Sequence, residues 1–293
     1  MDAEGSEPIV TPQSGQAQGL PPLARLLTRH PPLLQLLQSI PRLAATALPV
    51  LITGEPGTGK ELVAEALWAH SPRRSQPLYR LNCALLGGEL ATSELFGHLK
   101  GAYTGAAASR LGKFQQAHHA TLFLDEIGDL DPAVQPRLLR AVEQGEVEAL
   151  GRDTPVAVDV RLICATNQDL LRLVAEGRFR QDLYDRLAVL VLPLPPLRER
   201  GEDVLLLAEH FLEQEARRYQ VPVVGLAAPA RRRLMDYHWP GNVRELRNVI
   251  TRAVLFSSGQ LIRATDLAFA PAPKKTTTSQ ASPPPPPPRR PDP

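Results

Sequence analysis

Cysteine is scarce in this sequence of 293 residues, which contains only Cys83 and Cys164. Both residues lie in or beside apolar, strand-like runs, and they lack the CxxC spacing of a metal or redox site. A small secreted domain held together by several disulfides is therefore excluded. We expect both thiols to be small core residues in a protein from a reducing compartment.

Excess charge and long apolar runs are also missing. The sequence has 33 Lys and Arg residues against 31 Asp and Glu residues, so its formal net charge is +2. Such a small charge provides no bulk attraction for nucleic acid. The most apolar window, Leu187–Leu197, contains three prolines and is too short for the roughly 20 residues of a membrane-spanning helix. The N-terminus shows no signal-peptide pattern, so we expect a cytoplasmic, bacterial-type protein.

Proline, by contrast, is abundant, and it marks the ends of the region that is predicted to fold. The sequence has 30 prolines, six of them consecutive in the segment 271–293. We predict that this segment is a disordered tail with polyproline II character. Residues 1–19 are rich in Gly, Gln, Pro and Ser and are also predicted to be disordered. Folded structure is expected from Leu20 onward.

Strands and helices alternate in the first part of the folded region. The strands are expected at Val50–Thr53, Leu78–Leu81, Leu122–Leu124, Val158–Ala165 and Ala188–Leu192. Because these strands are apolar on both faces and helical segments separate them, they predict an α/β fold with a parallel sheet covered by helices. Pro31 and Pro41 are expected to mark helix starts.

Only helices are predicted after Pro193. They are expected at Glu202–Tyr219, Ala228–Tyr237 and Val243–Phe256. We therefore predict an α/β core at 20–200 and a small helical domain at 201–270. The sequence WPGN separates the last two helices, and Asn242 is expected to cap the helix that carries Arg244.

A glycine-rich loop follows the first predicted strand, in the sequence LITGEPGTGKE at 51–61. Gly54, Gly57 and Gly59 allow the backbone to aim successive N–H groups at one anion, and Lys60 adds a positive charge. The next helix points its positive dipole end at the same place. This context predicts a phosphate-binding P-loop, although Glu61 replaces the usual Ser or Thr. An ordinary strand-to-helix turn is the alternative.

Two carboxylates come at the end of a second apolar strand, in the sequence TLFLDE at 121–126. Parallel sheets place ligands at this end of their strands. ATP hydrolysis needs one carboxylate for Mg²⁺ and another to orient water, and we assign these roles to Asp125 and Glu126. Asn82 and Asn167 end neighbouring strands, so their amides are placed to hydrogen-bond Glu126 or a phosphate.

Downstream, GRFRQDLYDRL places Arg180 and Arg186 six residues apart, beside the last predicted strand. An ATPase needs positive charge at the developing transition state, and an arginine finger commonly supplies it. Both residues are candidates for this role, whereas solvated surface groups are the alternative.

Eight motifs in this order resemble a known family. They are GEPGTGKE, LNCALL, SELFGHLKGAYTGA, TLFLDEIGD, ATNQDL, GRFRQDLYDRL, LPPLRER and WPGNVREL. Together they resemble the AAA+ domain of bacterial sigma-54-dependent transcriptional activators over about residues 20–270. The resemblance implies a P-loop AAA+ ATPase fold, with a five-stranded parallel sheet flanked by helices and a small C-terminal helical lid.

The resemblance also implies roles for individual residues, with ATP and Mg²⁺ as cofactors. The phosphates would be held by the loop residues Gly54, Glu55, Pro56, Gly57, Thr58, Gly59, Lys60 and Glu61. Asp125 and Glu126 would form Walker B, with Asp125 on the metal, and Asn82 would restrain the Glu126 carboxylate.

Further roles follow for the sensors and for the assembly. Thr166 and Asn167 match sensor I, and Arg244 matches the sensor II arginine of the lid. Arg180 and Arg186 match arginine fingers that act on a neighbouring subunit. The implied assembly is a homo-oligomeric ring, a hexamer.

The most specific motif is the loop formed by Gly101, Ala102, Tyr103, Thr104, Gly105 and Ala106. It resembles the GAFTGA loop with which this family touches sigma-54. Glycines on both sides free the backbone around the aromatic–hydroxyl tip, and an exposed aromatic residue on a loop suits contact with a partner. The sequence departs from the family pattern at Tyr103, where Phe is usual, and at His119-Ala120, where a Gly-Gly pair is common.

The resemblance implies a protein that binds sigma-54 and its RNA polymerase holoenzyme. ATP hydrolysis would then remodel the closed promoter complex. Another AAA+ remodelling ATPase, and a regulatory module that occupies sigma-54 without productive hydrolysis, are the alternatives. The motifs have no helix-turn-helix pattern beside them, so we expect no specific DNA binding by this chain.

Overall fold

The fold comes from a computed structural model of the chain. It describes residues 25–85, 87–102, 108–152 and 154–269. The predicted terminal segments at 1–19 and 271–293 lie outside the described residues, and so does the loop tip at 103–107.

Five parallel strands form the central sheet. They are β1 (Val50–Thr53), β2 (Leu78–Asn82), β3 (Thr121–Asp125), β4 (Arg161–Thr166) and β5 (Leu190–Pro193). Their order across the sheet is β2-β3-β4-β1-β5, and every neighbouring pair is parallel. The sequence prediction of a parallel sheet with five strands is confirmed.

Helices cover both faces of this sheet. Within the described residues they are α1 (Pro31–Ala44), α2 (Lys60–Ala69), α3 (Gly88–Phe96), α4 (Lys113–Gln116), α5 (Gln135–Gln144), α6 (Leu170–Ala175), α7 (Gln181–Leu187), α8 (Asp203–Tyr219), α9 (Ala228–Asp236) and α10 (Asn242–Phe256). Successive strand residues face opposite sides: Leu122 and Leu124 pack with α3 to α7, whereas Phe123 packs with α1 and α2. The result is a three-layer α/β/α core.

Strand ends differ from the predicted ends by up to three residues. The fourth strand was expected to begin at Val158 but begins at Arg161, because Asp159 bonds outside the sheet. The carbonyl of Asp159 accepts hydrogen bonds from the His119 N–H (2.7 Å) and from the guanidinium of Arg73 (3.0 Å). The fifth strand continues to Pro193, which is tolerated because this strand lies at the edge of the sheet.

One of the two proline predictions was wrong. Pro31 begins helix α1 as expected, but Pro41 lies inside the helix rather than at a start. The apolar face of the helix continues past Pro41, because Ile40 and Ala44 are both fully buried against the sheet. Burial of this continuous face outweighs the hydrogen bond that Pro41 cannot donate.

The helices after β5 have a hydrophobic core of their own. Helices α8 and α10 pack against each other, and Trp239 lies fully buried beside them. The indole N–H of Trp239 donates to the carbonyl oxygen of Leu234 at 2.9 Å, and its ring meets Tyr237 edge to face. As predicted, WPGN separates α9 from α10.

The two cysteines are buried in the core as expected. Cys83 and Cys164 are each 1% exposed and carry free thiols. Burial raises the pKa of Cys83 to about 12, so this thiol is not a nucleophile at neutral pH. In the described part of the chain, no helix is both long and apolar enough to cross a membrane.

Arg161 fixes the C-terminal end of α1 from inside the core. Its side chain is 2% exposed, and its guanidinium donates to the carbonyl oxygens of Leu43 (3.1 Å) and Ala44 (2.6 Å). These carbonyls are among the last four of the helix, which have no partner within it. The arginine therefore joins the first helix to the sheet through β4.

We predict that Arg161→Met lowers the free energy of unfolding by about 2 kcal/mol, because the buried carbonyl of Ala44 loses its donor, while that of Leu43 keeps its bonds from Thr46. Chemical denaturation followed by circular dichroism measures this change. Arg42→Met is the matched control, since Arg42 lies near the same helix end but is exposed. An equal effect of both substitutions would contradict the capping role.

Candidate functional site

The glycine-rich loop connects β1 to α2 at the C-terminal edge of the sheet. Gly57 and Gly59 adopt left-handed backbone angles, with φ of +81° and +104°. Steric contact also excludes a side chain at position 57, since an added Cβ would lie 2.4 Å from the carbonyl oxygen of Gly241. The loop therefore turns sharply while it lies against the segment that precedes α10.

Lys60 is the first residue of α2, and it faces the carboxylate of Glu126. Its ammonium group donates to the carbonyl oxygen of Gly54 at 2.9 Å and lies 3.5 Å from Glu126 Oε1. Lys60 is only 7% exposed, so this pair is screened little by solvent. The predicted phosphate ligand and the predicted water-orienting residue thus lie side by side.

Asp125 ends β3 beside this pair. Its Oδ1 accepts the backbone N–H of Glu126 at 3.1 Å. Burial and the neighbouring Glu126 raise the pKa of Asp125, so a cation at this point would be favoured. Among the described residues, no cluster of three or more His, Cys, Asp or Glu side chains could hold a metal alone. This donor set fits Mg²⁺, which is usually held by one or two carboxylates together with phosphates and water.

Asn82 does not hold Glu126 in this structure, contrary to expectation. Its side-chain oxygen instead accepts the backbone N–H of Ala84 at 2.9 Å, which stabilises the turn after β2. The carboxylate of Glu126 is held by the backbone N–H of Asn167 at 3.0 Å. Asn167 therefore reaches Glu126 through its main chain rather than through its amide. Thr166, which is fully buried, accepts the N–H of Gln168 with its hydroxyl.

Glu61 follows Lys60 and forms an ion pair with Arg80. The guanidinium of Arg80 bridges Glu61 Oε1 (2.9 Å) and Glu65 Oε1 (2.8 Å), and Arg25 binds the other oxygen of Glu65. More than half of the Glu61 side chain is exposed. The residue that replaces the usual Ser or Thr is thus largely exposed and paired with an arginine.

These residues line one cleft between the α/β core and the helical domain, with a volume of about 450 Å³. Its lining consists of Arg25, Pro56, Gly57, Gly59, Lys60, Glu61, Leu62, Asp125, Glu126, Leu207, His210, Phe211, Gln214, Val243, Arg244 and Arg247. The volume falls in the range of roughly 300–1,000 Å³ that is common for small-molecule sites. The lining combines the charged residues Lys60, Asp125 and Glu126 with the apolar residues Leu207 and Phe211.

The three predicted arginines lie in two different places. Arg244 lines the cleft next to Gly57. Arg180 and Arg186 do not line the cleft of their own chain and are about half exposed or more. Arg180 forms a bidentate pair with Asp182 (3.0 and 2.7 Å), and Arg186 binds Glu143 at 2.6 Å.

Asn242 does not cap α10, so this prediction was wrong. The cap position is Gly241, and Asn242 is the first helical residue, with φ of +52°. Its side chain is fully buried and contacts Glu55, Pro56 and Leu197 instead. A buried amide finds more partners between two domains than it would at an exposed helix end.

Sequence reasoning assigned no role to the linker motif LPPLRER, although two of its arginines bind the P-loop. Arg198 makes a bidentate pair with Glu55 at 2.8 and 2.5 Å, and Arg200 donates to the carbonyl of Thr58 at 3.0 Å. Glu55 therefore faces the linker, and Thr58 bonds to the carbonyl of Glu55 within the loop. The alternating charges of Arg198, Glu199 and Arg200 in this short linker could have indicated such polar contacts.

The base of the GAYTGA loop is a two-stranded hairpin formed by Gly97–His98 and Arg110–Leu111. His98 crosses it: Nε2–H donates to the carbonyl oxygen of Ala108 at 2.9 Å, and Nδ1 lies 2.7 Å from Ser93 Oγ. Gly101 and Ala102 follow this base, with φ of +82° at Gly101. Tyr103, Thr104, Gly105 and Ala106 lie outside the described residues.

Comparisons with known proteins agree with this architecture. Residues 26–193 match the family described as Sigma-54 interaction domain, and residues 198–284 match the AAA+ ATPase lid domain. The chain is 50% identical over 253 residues to the Transcriptional regulatory protein ZraR of Salmonella typhimurium, covering 86% of this chain and 57% of that protein. It is 54% identical over 226 residues to the Anaerobic nitric oxide reductase transcription regulator NorR of Klebsiella pneumoniae, covering 77% and 44%. The chain thus spans about half the length of these relatives.

Solved structures of NtrX from Brucella abortus are also similar to the chain. The complex with ADP superposes with a TM-score of 0.76 at 34% identity, covering 87% of this chain and 58% of NtrX. The complex with ATP gives a TM-score of 0.74 at 35% identity, covering 83% and 56%.

Proposed function

Because the chain belongs to the family of sigma-54 interaction domains, we propose that it binds ATP with Mg²⁺ and remodels the sigma-54 RNA polymerase closed complex by hydrolysis. The observation that carries this proposal is the pair formed by buried Lys60 and partly buried Glu126 beside a glycine-rich loop. Related NtrX structures contain ADP and ATP, and the relatives ZraR and NorR are named as transcriptional regulators.

The cleft suits each part of an ATP molecule. Loop N–H groups between Gly54 and Glu61 would bind the phosphates, and Arg244 would approach them from the helical side. The apolar side chains of Leu207 and Phe211 would contact the base. Asp125 would hold Mg²⁺, which when bound neutralises charge on the β- and γ-phosphates.

Glu126 is the residue that would orient the attacking water. Its carboxylate is held from one side by the N–H of Asn167 and from the other by Lys60. When Lys60 turns to a phosphate, Glu126 keeps the backbone bond and gains a free oxygen for water. Thr166 ends β4 and Asn167 follows it, and these two residues would act as sensor I for the bound phosphate. Asn82, at the end of β2, would restrain the Glu126 carboxylate when nucleotide is bound.

A ring of identical subunits would complete the site. Arg180 and Arg186 are exposed outside the cleft of their own chain, where a neighbouring subunit can present its phosphates to them. A head-to-tail ring, for which a hexamer is expected, repeats this contact at every interface. We assign residues 20–200 to the ATPase core and 201–270 to the lid, and the segments 1–19 and 271–293 flank them.

The loop from Gly101 to Ala106 would carry the motion to sigma-54. Its base is anchored by His98 and by a hydrogen bond from Leu99 N–H to the carbonyl oxygen of Leu150 (2.9 Å). Tyr103 and Thr104 would supply the contact with sigma-54 in its RNA polymerase holoenzyme.

We predict that Lys60→Ala weakens ADP binding strongly, whereas Glu126→Gln leaves binding within a few fold and stops hydrolysis. The reason is that Lys60 would contact phosphate, while Glu126 would act only on water. Titration with a fluorescent ADP derivative and a phosphate-release assay measure the two effects. Equal loss of binding in both variants would contradict the assignment.

We predict that Arg180→Ala lowers the turnover of ATP by roughly a thousandfold or more, as expected for an arginine finger. Mixing it with Glu126→Gln should restore activity to roughly a quarter of the wild-type value, because half the subunits keep an intact site and half the neighbours keep the finger. Arg178→Ala, an exposed neighbour, is the control and should retain activity. No recovery in a mixture that forms joint rings would show that Arg180 acts within its own chain.

We predict that the protein retains sigma-54 on a column in the presence of ADP and a metal fluoride, which mimics the transition state. Thr104→Ala should abolish this capture while hydrolysis stays within a few fold of wild type. Tyr103→Ala should lose it, whereas Tyr103→Phe should retain it, because the ring face supplies the apolar contact. If the wild type hydrolyses ATP but never retains sigma-54, a generic AAA+ remodeller becomes the better description.

A further inference from the structure

The outer side of the P-loop is bonded to the linker and to α10. Three consecutive loop carbonyls accept hydrogen bonds from this side, at 3.0 to 3.1 Å. Asn242 Nδ2 donates to Pro56, the backbone N–H of Val243 to Gly57, and the Arg200 guanidinium to Thr58. The loop is therefore held from outside before any phosphate contacts its inner side.

Asn242 is the centre of this attachment. It is fully buried, and its side chain joins three segments. Its oxygen accepts the N–H of Leu197 in the linker at 2.7 Å, and its Nδ2 also reaches Glu55 Oε2 at 3.0 Å. The same carboxylate is paired with Arg198, and these bonds lower the pKa of Glu55 to about 2. Glu55 is thus ionised at neutral pH and accepts hydrogen bonds from both Arg198 and Asn242.

Because of peptide geometry, the bonds to the loop carbonyls also determine where the loop N–H groups point. In a planar trans peptide, the carbonyl and the following N–H point in opposite directions. The described residues contain no cis peptide bond. When Pro56 and Thr58 direct their carbonyls to the lid side, the N–H groups of Gly57 and Gly59 must point away from it. These are donors that a phosphate would use.

We infer that Asn242 and Arg200 are positioning residues that orient the phosphate-binding N–H groups of the P-loop. The relation works in both directions, because a phosphate that fixes these N–H groups also fixes the carbonyls that hold the lid. Nucleotide binding and lid docking therefore stabilise each other. This inference rests on the proposed function, in that the cleft binds a nucleotide.

A packing contact with no effect on the site is the competing explanation. It predicts that substitutions at Asn242 lower the melting temperature and leave nucleotide affinity unchanged. The positioning role instead predicts weaker binding in a protein that is folded at the temperature of the measurement. The two explanations therefore differ in affinity, not in stability.

Asn242→Asp is the sharpest test. Aspartate has nearly the same shape, tolerates positive φ and keeps the acceptor for Leu197, but it replaces the donor toward Glu55 and Pro56 with an oxygen. Binding of a fluorescent ADP derivative with Mg²⁺ at 25 °C should weaken about tenfold or more. Circular dichroism and thermal melting report whether the variant is folded.

Asn248→Asp is the matched control, since it makes the same change at an exposed position of α10. It should bind ADP as the wild type does. Asn242→Gly is measured in parallel, since it removes the donor without burying a charge and accepts the positive φ. Its affinity for ADP should also fall about tenfold. The double variant Asn242→Asp with Glu55→Gln should bind ADP at least threefold more tightly than Asn242→Asp alone, because the glutamine amide donates to the aspartate.

Lid docking provides a second measurement. Dyes on Ser75→Cys and Arg232→Cys report the distance between core and lid, and the native cysteines are buried and do not compete for label. ADP should narrow the distance distribution in the wild type and leave it unchanged in Asn242→Asp.

The outcomes separate the two proposals. Failure of the wild type to bind ADP would overturn the proposed function itself. Normal ADP affinity in folded Asn242→Asp and Asn242→Gly would overturn the positioning role and leave the function intact.

Discussion

The parallel sheet is the constraint on which the site depends. Because all five strands run the same way, Thr53, Asn82, Asp125 and Thr166 end at one edge. No loop has to fold back to bring them together, and the P-loop starts at that same edge. The chemistry is therefore assembled by strand direction and register. The local sequence only has to supply the correct residue type at each strand end.

Close approach of the lid adds a second constraint. The P-loop runs so near Gly241 that a side chain at position 57 would collide with its carbonyl oxygen. Buried polar groups on this side of the loop must find partners within the protein. Arg200 and Asn242, which are both buried, supply them, and Arg198 adds a partly exposed pair with Glu55. The linker and lid are thus bonded to the loop that is proposed to bind phosphate.

Much of this arrangement could be predicted from the sequence, because its signals are local. Apolar strands followed by Gly, Asp or Asn specify the sheet and the strand ends, and they do so without knowledge of the fold. The lysine and carboxylates were predicted on the same grounds. Strand and helix limits were less accurate, since tertiary contacts decide them: Asp159 leaves β4 to bind Arg73 and His119. His119 itself adopts φ of +61°, which explains why glycine suits that position.

Two predictions failed because long-range packing overrode a local preference. Pro41 was expected to begin a helix, yet the buried face of α1 carries the helix past it. Asn242 was expected to cap α10, yet its amide lies between two domains and bonds residues almost 190 positions away, such as Glu55 at 187. A local contact decides the position of Asn82 instead: its side-chain oxygen accepts the Ala84 N–H in a turn, whereas a bond to the Glu126 carboxylate would need its amide nitrogen as donor. None of these competitions can be decided before the partners are known.

The near-zero net charge of the chain is reflected in ion pairs at the two candidate arginine fingers. Each arginine that the proposed mechanism employs on a neighbouring subunit rests on a carboxylate of its own chain: Arg180 on Asp182 and Arg186 on Glu143. Exposed ion pairs change an equilibrium by only a few fold, whereas arginine fingers change rates by about 10³- to 10⁵-fold. The ion pairs with Asp182 and Glu143 are therefore too weak to withhold the arginines from a phosphate in the proposed ring. Each of these two arginines thus has a carboxylate partner in its own chain that a phosphate would have to replace.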